Sequence, residues 1–267
     1  MQFYNGVGDD YLSKKIIISD LDGTLTMSKM RVNKSMSAAI HNILRFYNLA
    51  IVTGGEFSQL KMQLDKAISE KEINISKLFL FPTNGTKLYR FTTDKWVKIY
   101  SIDLSLDEKK TILEGFELVT REFDFARPER FFGRQTEDRG SQVTYSALGQ
   151  NAPISLKMLW DPDAIKRNIM KQRLEQLLPE FEVKIGGKTS IDVTKRGFNK
   201  SYTVKKLMEL TGYSVDDMLF VGDSLFEGGN DYSVRSTKIE CVQVENVEET
   251  LSLFNKLLSE KSEKYHL

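Results

Sequence analysis

The stretch that decides the fold reads Ile16-Ile17-Ile18-Ser19-Asp20-Leu21-Asp22-Gly23-Thr24-Leu25-Thr26. Its apolar run predicts a buried strand, and the glycine predicts the sharp turn that ends this strand. Two aspartates therefore stand at the carboxyl end of a strand, which is where open α/β sheets bind ligands. Their spacing suits two carboxylates that share a divalent cation, or a nucleophile beside a proton carrier. A capped turn in a surface loop would explain the same residues without any chemistry.

Alternation of buried strands and amphipathic helices surrounds this stretch. The predicted strands are 16–20, 49–52, 78–81, 218–221 and 238–244. The predicted helices are 34–47, 58–69, 200–210 and a last one capped by Asn246 with Glu249. Such alternation predicts an α/β fold with a Rossmann-like parallel sheet and right-handed crossovers.

The middle of the chain follows a different pattern, in which strands alternate apolar and polar residues as half-exposed antiparallel strands do. These strands are predicted at 87–91, 96–102, 142–148 and 181–185. One helix is predicted to open on a capping box of Ser105 with Glu108, and a second on Asp161 as N-cap before Pro162. We therefore expect an α+β cap domain, with an antiparallel sheet and two helices, inserted at 87–187. The Rossmann-like catalytic core would comprise 1–86 and 188–267, and the glycine-containing junctions suit a hinged lid.

Bulk composition is that of an ordinary globular protein, with 40% hydrophobic and 28% charged residues among 267. The formal net charge of +1 gives no reason to expect nucleic acid or a membrane as partner. A lone cysteine, Cys241, allows no internal disulfide, and the N-terminal residues lack a signal-peptide core, so we expect a cytoplasmic protein. The two histidines, His41 and His266, lie in a predicted helix and a polar tail, which disfavours histidine catalysis and zinc binding.

Two further segments offer groups for a phosphate. Thr53, Gly54 and Gly55 end the second strand, where a hydroxyl and exposed amides suit a phosphate oxygen, although the tripeptide is also a common turn. Lys200 begins a predicted helix, where the macrodipole disfavours a cation. An ammonium group that faces carboxylates and phosphate would offset that cost, whereas a surface lysine would need no such role.

The last such segment follows the strand at 218–221. Asp223 stands at its end, and Gly228 with Gly229 allows a tight loop that brings Asn230 and Asp231 back towards it. Hard oxygen ligands of this kind suit Mg²⁺.

Taken in order, these segments resemble the haloacid dehalogenase-like phosphotransferases, in the subgroup with a large α/β cap. The resemblance implies a Mg²⁺-dependent aspartyl-phosphate intermediate, with catalytic residues Asp20, Asp22, Thr53 and Lys200. Asp20 would be the nucleophile and Asp22 the acid and base. The metal would be held by the Asp20 and Asp223 carboxylates and the Asp22 carbonyl, with Asn230 and Asp231 orienting Lys200 and metal waters.

A narrower resemblance, to eukaryotic-type phosphomannomutases, covers nearly the whole chain. It is carried by four segments of the core and its junctions and one of the cap, which are 54–57, 81–85, 186–193, 228–231 and 137–141. The resemblance implies substrate contacts from Arg139, Ser190 and Asp192, beside those from Gly54 and Gly55. Two further arginine positions of that family fall here on Gln150 and Lys157, and neither side chain has the planar fork that matches phosphate.

Three functions stay open. The leading hypothesis is a phosphatase acting on a sugar phosphate or similar small phosphomonoester, because a weakened distal clamp favours loss of a bisphosphate intermediate to water. The second is a phosphomannomutase or phosphoglucomutase, and the third is a non-catalytic phosphosugar-binding protein. The resemblance also implies a homodimer paired through the cap, for which the sequence shows neither a heptad repeat nor an isolated apolar patch.

Overall fold

A computed structural model describes residues 9–68, 74–126 and 128–265. The chain divides into two compact units, Met1–Tyr100 with Lys200–Leu267, called the core below, and Ser101–Asn199, called the insert. Both junctions lie later in the chain than the sequence analysis placed them. His266, the end of the helix predicted at 58–69 and most of the lead-in before the first strand lie outside the described residues.

The helices and strands follow one another along the chain in three groups. Before the insert come α1 (Asp9–Ser13), β1 (Ile16–Asp20), α2 (Lys34–Phe46), β2 (Asn48–Val52), α3 (Phe57–Ile68), β3 (Leu78–Phe81), β4 (Lys87–Thr92) and β5 (Lys95–Ser101). The insert contains α4 (Leu106–Glu122), β6 (Thr136–Asp138), β7 (Gln142–Ser146), α5 (Ile154–Trp160), α6 (Ile165–Leu177), β8 (Phe181–Ile185) and β9 (Ser190–Lys195). After it come α7 (Lys200–Thr211), β10 (Met218–Gly222), β11 (Glu240–Gln243) and α8 (Val247–Tyr265).

The core is built on a seven-stranded sheet of order β11-β10-β1-β2-β3-β4-β5. The five strands from β11 to β3 are parallel, and β4 is antiparallel to β3. The strand order reverses between β1 and β10, since the chain moves to one side of β1 with β2 and returns on the other with β10. Such a reversal opens a crevice at the carboxyl ends of the two strands.

Side chains of β1, the middle one of the five parallel strands, enter two separate apolar layers. Ile17 packs in the layer that includes residues of α2, α3 and α8, whereas Ile16 and Ile18 pack in the layer that includes Val204 and Leu207 of α7. All three isoleucines are fully buried. The continuous apolar run is thus explained by a strand covered on both faces, as in parallel sheets generally.

The hairpin of β4 and β5 belongs to the core sheet, whereas the sequence analysis assigned it to the inserted domain. The backbone of β4 pairs with β3 at Phe79↔Arg90 and Leu80↔Tyr89. Alternating apolar and polar residues correctly indicated antiparallel strands, but the pattern describes only which faces are covered. It carries no information on which sheet the strands join.

The insert has its own four-stranded antiparallel sheet of order β6-β7-β9-β8. One face packs against α4 and α6 through an apolar cluster that includes Phe116, Val143, Met170 and Val193. This arrangement confirms the predicted α+β architecture. Three elements of the insert were not predicted, namely β6, α5 and β9.

The start of α6 differs from the prediction. The N-cap of α6 is Ala164, in the left-handed conformation, and not Asp161. The Asp161 carboxylate instead accepts hydrogen bonds from the amides of Lys166 and Arg167, at 3.0 and 3.1 Å. Asp161 therefore still accepts hydrogen bonds from free amides at the start of α6. It lies four residues before that start, however, as the C-cap of α5.

Two predicted helix starts are confirmed by their capping bonds. Ser105 and Glu108 form a reciprocal capping box at α4. Asn246 accepts a bond from the Glu249 amide at the start of α8. Among the described helices, none is both long and apolar enough to span a bilayer.

Candidate active site

Asp20 is the last residue of β1, the middle one of the five parallel strands of the core sheet. Its backbone pairs with Val52 of β2, and β1 pairs on its other side with β10. The Asp20 side chain is 3% exposed, so an ionised carboxylate here requires compensating charge or hydrogen bonds. The prediction that Asp20 ends a buried strand is confirmed.

Lys200 supplies that compensation. Its Nζ donates to Oδ1 of Asp20 and to Oδ1 of Asp231, each at 2.6 Å, and its side chain is 1% exposed. Burial alone would lower the pKa of Lys200, but the two carboxylates raise it above its usual value. A surface position for this lysine is excluded, and the ammonium group stays charged.

The Asp20 carboxyl group experiences opposing influences. Burial raises its pKa well above the usual value, and the Lys200 charge opposes that rise. The negative charges of Asp231 and Asp223 add to the effect of burial. An added cation beside these carboxylates would oppose the effect of burial on the pKa of Asp20.

Asp223 follows β10 and approaches the turn after β1 very closely. Gly23 has a φ of +95°, and a Cβ built on it would lie 2.5 Å from Oδ2 of Asp223. The Asp223 amide also donates to the Thr24 hydroxyl at 3.1 Å. Glycine is therefore required at position 23 for two reasons, its backbone conformation and the space that Asp223 occupies.

Asp231 returns to the site through the glycine-containing loop, as predicted. Its Oδ1 accepts from Lys200 and its Oδ2 from the Ser224 amide, at 2.6 and 3.1 Å. The neighbouring Asn230 has a buried Oδ1 to which no donor among the described residues is bonded. Asp231 is thus fixed by donors on both oxygens, which suits a residue that orients Lys200.

The carboxylates fit a divalent cation. One oxygen each from Asp20, Asp223 and Asp231 lies within 4.8 Å of the others. Because Asp231 is already bonded through both oxygens, Asp20 and Asp223 are the better ligands of the three. An all-oxygen set of few carboxylates suits Mg²⁺, which usually retains waters and binds substrate phosphate as well. The predicted contribution of the Asp22 backbone carbonyl stays a prediction.

Asp22 lies two residues beyond Asp20 and is held through one oxygen. Its Oδ1 accepts from the Lys29 amide at 2.7 Å and from Nε2 of Gln63 at 3.0 Å. Gln63 was not singled out by the sequence analysis. A signal was available, because Gln63 lies in the otherwise apolar stripe that Leu60 and Leu64 form on α3 and is 1% exposed.

Thr53 follows β2 beside the end of β1. Its hydroxyl accepts from the Gly55 amide at 3.1 Å, which curls the loop through Gly54 into a tight turn. The loop is anchored to the end of β3, since Thr53 binds the amide of Asn84 and Gly55 that of Thr83. The predicted loop of hydroxyl and amides at a strand end is therefore present and rigidly supported.

The predicted substrate residues of the insert occupy two places. Ser190 and Asp192 share a face of the sheet with Thr144, which donates to Asp192 at 2.7 Å. Arg139 is bonded to Glu137 through Nε and a terminal nitrogen, at 3.0 and 2.6 Å.

The other two, Gln150 and Lys157, contact each other. Nζ of Lys157 donates to the Gln150 backbone carbonyl at 3.0 Å. The Gln150 side-chain nitrogen is buried, and the described residues supply no acceptor for it. Neither side chain presents the paired donors that an arginine would offer.

Comparisons with known proteins agree with this geometry. A family model described as haloacid dehalogenase-like hydrolase matches residues 17–258. A probable phosphomannomutase of Caenorhabditis elegans is 26% identical over 83% of this chain and 86% of its own. A phosphomannomutase of Spinacia oleracea is 28% identical over 82% of this chain and 85% of its own. The fold resembles that of a C-terminally truncated Plasmodium falciparum IMP-nucleotidase, with a TM-score of 0.70 at 15% identity, covering 94% of this chain and 73% of that one.

Proposed function

Because the chain belongs to the haloacid dehalogenase-like hydrolases, we propose that it transfers a phosphoryl group through an aspartyl-phosphate formed on Asp20. The observation that carries this proposal is the buried cluster at the carboxyl ends of β1 and β10. There Lys200 binds Asp20 and Asp231 at 2.6 Å, and Asp223 lies close by. A cluster with three carboxylates and one ammonium group is costly to bury, and a bound cation and phosphate would complete its charge balance.

In the first step, an Asp20 carboxylate oxygen attacks phosphorus. An aspartyl oxygen–phosphorus bond forms, the bond from phosphorus to the leaving oxygen breaks, and Asp22 gives its proton to that oxygen. In the second step, water or a sugar hydroxyl attacks the aspartyl-phosphate. Asp22 takes the proton of the attacking group, and the Asp20–phosphorus bond breaks.

Charge on the transferred group is balanced by fixed donors. Lys200 and the Thr53 hydroxyl bind its oxygens, while Asp231 and Asn230 orient Lys200 and would orient water on a metal ion. Asp20 and Asp223 would hold Mg²⁺, which would supply positive charge to the phosphoryl oxygens.

We propose a small phosphorylated metabolite, most simply a sugar phosphate, as substrate. Relatives that carry the name phosphomannomutase match over most of their length, and this supports the mutase. The sequence alone favours the phosphatase, whereas the relatives favour the mutase. Interconversion of mannose 1-phosphate and mannose 6-phosphate is therefore the first candidate.

Hydrolysis is the second candidate, and it rests on the insert. A mutase must hold a sugar bisphosphate while the sugar changes orientation. In this chain Arg139 is already bonded to Glu137, and Gln150 and Lys157 lack the guanidinium fork. We propose substrate contacts from Gly54, Gly55, Arg139, Gln150, Lys157, Ser190 and Asp192, with a weak grip on a second phosphate. A cytoplasmic location and a homodimer paired through the insert also stay predictions.

One assay separates the candidates. The protein is incubated with Mg²⁺ and mannose 1-phosphate, with and without glucose 1,6-bisphosphate, while free phosphate and mannose 6-phosphate are followed together. Bisphosphate-dependent mannose 6-phosphate with little phosphate supports the mutase, and phosphate release without isomerisation supports the phosphatase. If neither product forms from these sugar phosphates, and no phosphate is released from aryl phosphates, a non-catalytic binding protein is the remaining candidate. The Asp20→Asn variant is the control for contaminating enzymes.

A further inference from the structure

Gln63 is the one buried amide side chain of α3, and its contacts converge on the proposed acid and base. Nε2 of Gln63 donates to Oδ1 of Asp22 at 3.0 Å and to the Met30 carbonyl at 3.2 Å. These two acceptors use both hydrogens of the amide nitrogen. They also fix which end of the amide faces Asp22, because the carbonyl end could bind neither.

Asp22 is held asymmetrically as a result. Two donors, the Lys29 amide and Nε2 of Gln63, bind Oδ1 and fill the two acceptor sites of that oxygen. Among the described residues, Oδ2 receives no side-chain donor. Proton exchange with a leaving or attacking oxygen is therefore restricted to Oδ2, and the carboxyl group cannot rotate without breaking two hydrogen bonds.

The loop that carries Asp22 is tied to the same residue. The Gln63 carbonyl accepts from the Val32 amide at 2.9 Å, and its Oε1 accepts from Gln59 one turn earlier on α3, at 3.3 Å. Backbone and side chain of Gln63 thus hold residues 22–32 against a packed helix. A proton carrier that is fixed in this way needs little reorganisation during reaction.

We propose that Gln63 is a positioning residue for general acid catalysis, which orients Asp22 so that Oδ2 delivers the proton to the leaving oxygen. This inference rests on the proposed phosphoryl transfer and adds a residue and a geometric role to it. Gln63 itself touches no reacting atom. Its effect should therefore appear only where the leaving group needs a proton.

Aryl phosphates test this dependence without knowledge of the natural substrate. Phenyl phosphate has a poor leaving group that benefits from protonation, whereas 2,4-dinitrophenyl phosphate has a good one that does not. We expect Gln63→Met to lower kcat/KM for phenyl phosphate by about tenfold or more, with a change of about threefold or less for the dinitrophenyl ester. Gln63→Glu, which keeps the shape and places an acceptor against Asp22, should show the same selective loss.

Lys61→Met is the matched control, because Lys61 is exposed on the same helix and its substitution leaves both donors to Asp22 in place. We expect its ratio of the two kcat/KM values to equal that of the unsubstituted protein. Equal losses on both esters in the two Gln63 variants would overturn the inference, since they would indicate only a loosened loop. If the unsubstituted protein hydrolysed neither ester and acted on no sugar phosphate, the proposed function would fail, and the inference would fall with it.

Discussion

The core and the insert both bury polar and charged side chains, but they hold them in different ways. In the core, Lys200 binds Asp20 across 180 residues of chain and Asp231 across 31. In the insert, Arg139 binds Glu137 two residues away, and Asp192 binds Thr144 on the adjacent strand. In these insert pairs one acidic side chain meets one partner, whereas the core gathers several carboxylates around a single lysine.

From this difference we expect that the core carries the chemistry and that the insert contributes recognition or stability. Backbone hydrogen bonds pair β1 with both of its neighbours, β2 and β10. The pairing of these strands therefore does not depend on the carboxylates at the strand ends. Three acidic groups around one lysine are unfavourable to fold, and the proposed cation and phosphate would balance their charge. We therefore expect changes in the core cluster to affect kcat most, and changes in the insert to affect stability or product choice.

The largest effect should come from Asp20→Asn. Loss of the nucleophile should lower kcat by roughly 10⁴-fold or more, while the amide keeps the size of the carboxylate and the strand its pairing. Phosphate release and circular dichroism together check this. Asp65→Asn, at an exposed ion pair with Arg31, is the matched control. Retained Mg²⁺-dependent turnover in Asp20→Asn would remove the core cluster as the site of chemistry.

Removal of divalent cations should have the next largest effect. Chelation should lower turnover by about a hundredfold or more, and added Mg²⁺ should restore it. Asp223→Asn should raise the Mg²⁺ concentration for half-maximal activity by about tenfold or more. Asp216→Asn, on an exposed residue just before β10, should leave that concentration unchanged. Full activity after exhaustive chelation would contradict the metal assignment.

In the insert, Asp161→Asn tests a structural charge pair. Nε of Arg167 lies 2.8 Å from the Asp161 carboxylate, and their side chains are 6% and 3% exposed. An unpaired buried guanidinium should reduce the free energy of unfolding by about 3 kcal/mol or more. Calorimetry measures the loss, while kcat/KM for aryl phosphates should change little. A large loss of that kcat/KM in still-folded protein would break the division between the two regions.

The same pair predicts a dependence on pH. Burial alone would raise the pKa of Asp161, but the hydrogen bonds from Arg167 and from two backbone amides hold it below its usual range. Because the pKa of Asp161 is lower in the folded state, its charge stabilises the protein at pH values above the ordinary aspartate pKa of about 3.9. This stabilisation disappears as the pH falls through the folded-state pKa. The difference in Tm between the protein and Asp161→Asn should therefore be largest near neutrality and shrink in acid. A difference that persisted unchanged in acid would show that the charge does not contribute.

The smallest effect is expected from Gln150→Arg. A guanidinium group at this position would restore two parallel donors for a second phosphate. We expect the ratio of phosphate released to mannose 6-phosphate formed to fall by a few-fold, about the discrimination of one or two added hydrogen bonds. Gln172→Arg, exposed on α6, adds the same charge to the insert and should leave the ratio unchanged. An unaltered ratio in both variants would mean that this position does not hold the second phosphate.

Local signals in the sequence predicted many of the helices and strands. The run Ile16–Asp20 is a strand because both faces are buried, and the caps at Ser105 and Asn246 form because their partners lie three residues away. The position of the charged cluster could be predicted from the ends of three strands and the start of one helix. Parallel strands place their carboxyl ends together, so order along the chain was enough.

Features that depend on contacts with other elements could not be predicted from local patterns in the same way. The pairing of β4 with β3 depends on a sheet edge that no local pattern marks. Asp161 accepts hydrogen bonds from α6 although it precedes the N-cap, and its carboxylate is also bonded to Nε of Arg167 in the first turn of the helix. Gln63 stands out as a polar residue in the apolar stripe of α3, but its contact with Asp22 depends on how the loop before α2 folds, which the helix pattern does not indicate.

The position of Lys200 has a consequence for synthesis on the ribosome. Asp20 emerges early, but its cationic partner is the first residue of α7 and follows the whole insert. β10, which pairs with β1, and Asp223 emerge later still. A nascent chain that ends within the insert therefore holds a carboxylate without its counter-charge and a sheet in which β1 lacks one neighbour. Only translation of the final segment adds β10 beside β1 and brings Lys200 to Asp20. A chain released early should therefore possess neither a complete fold nor activity.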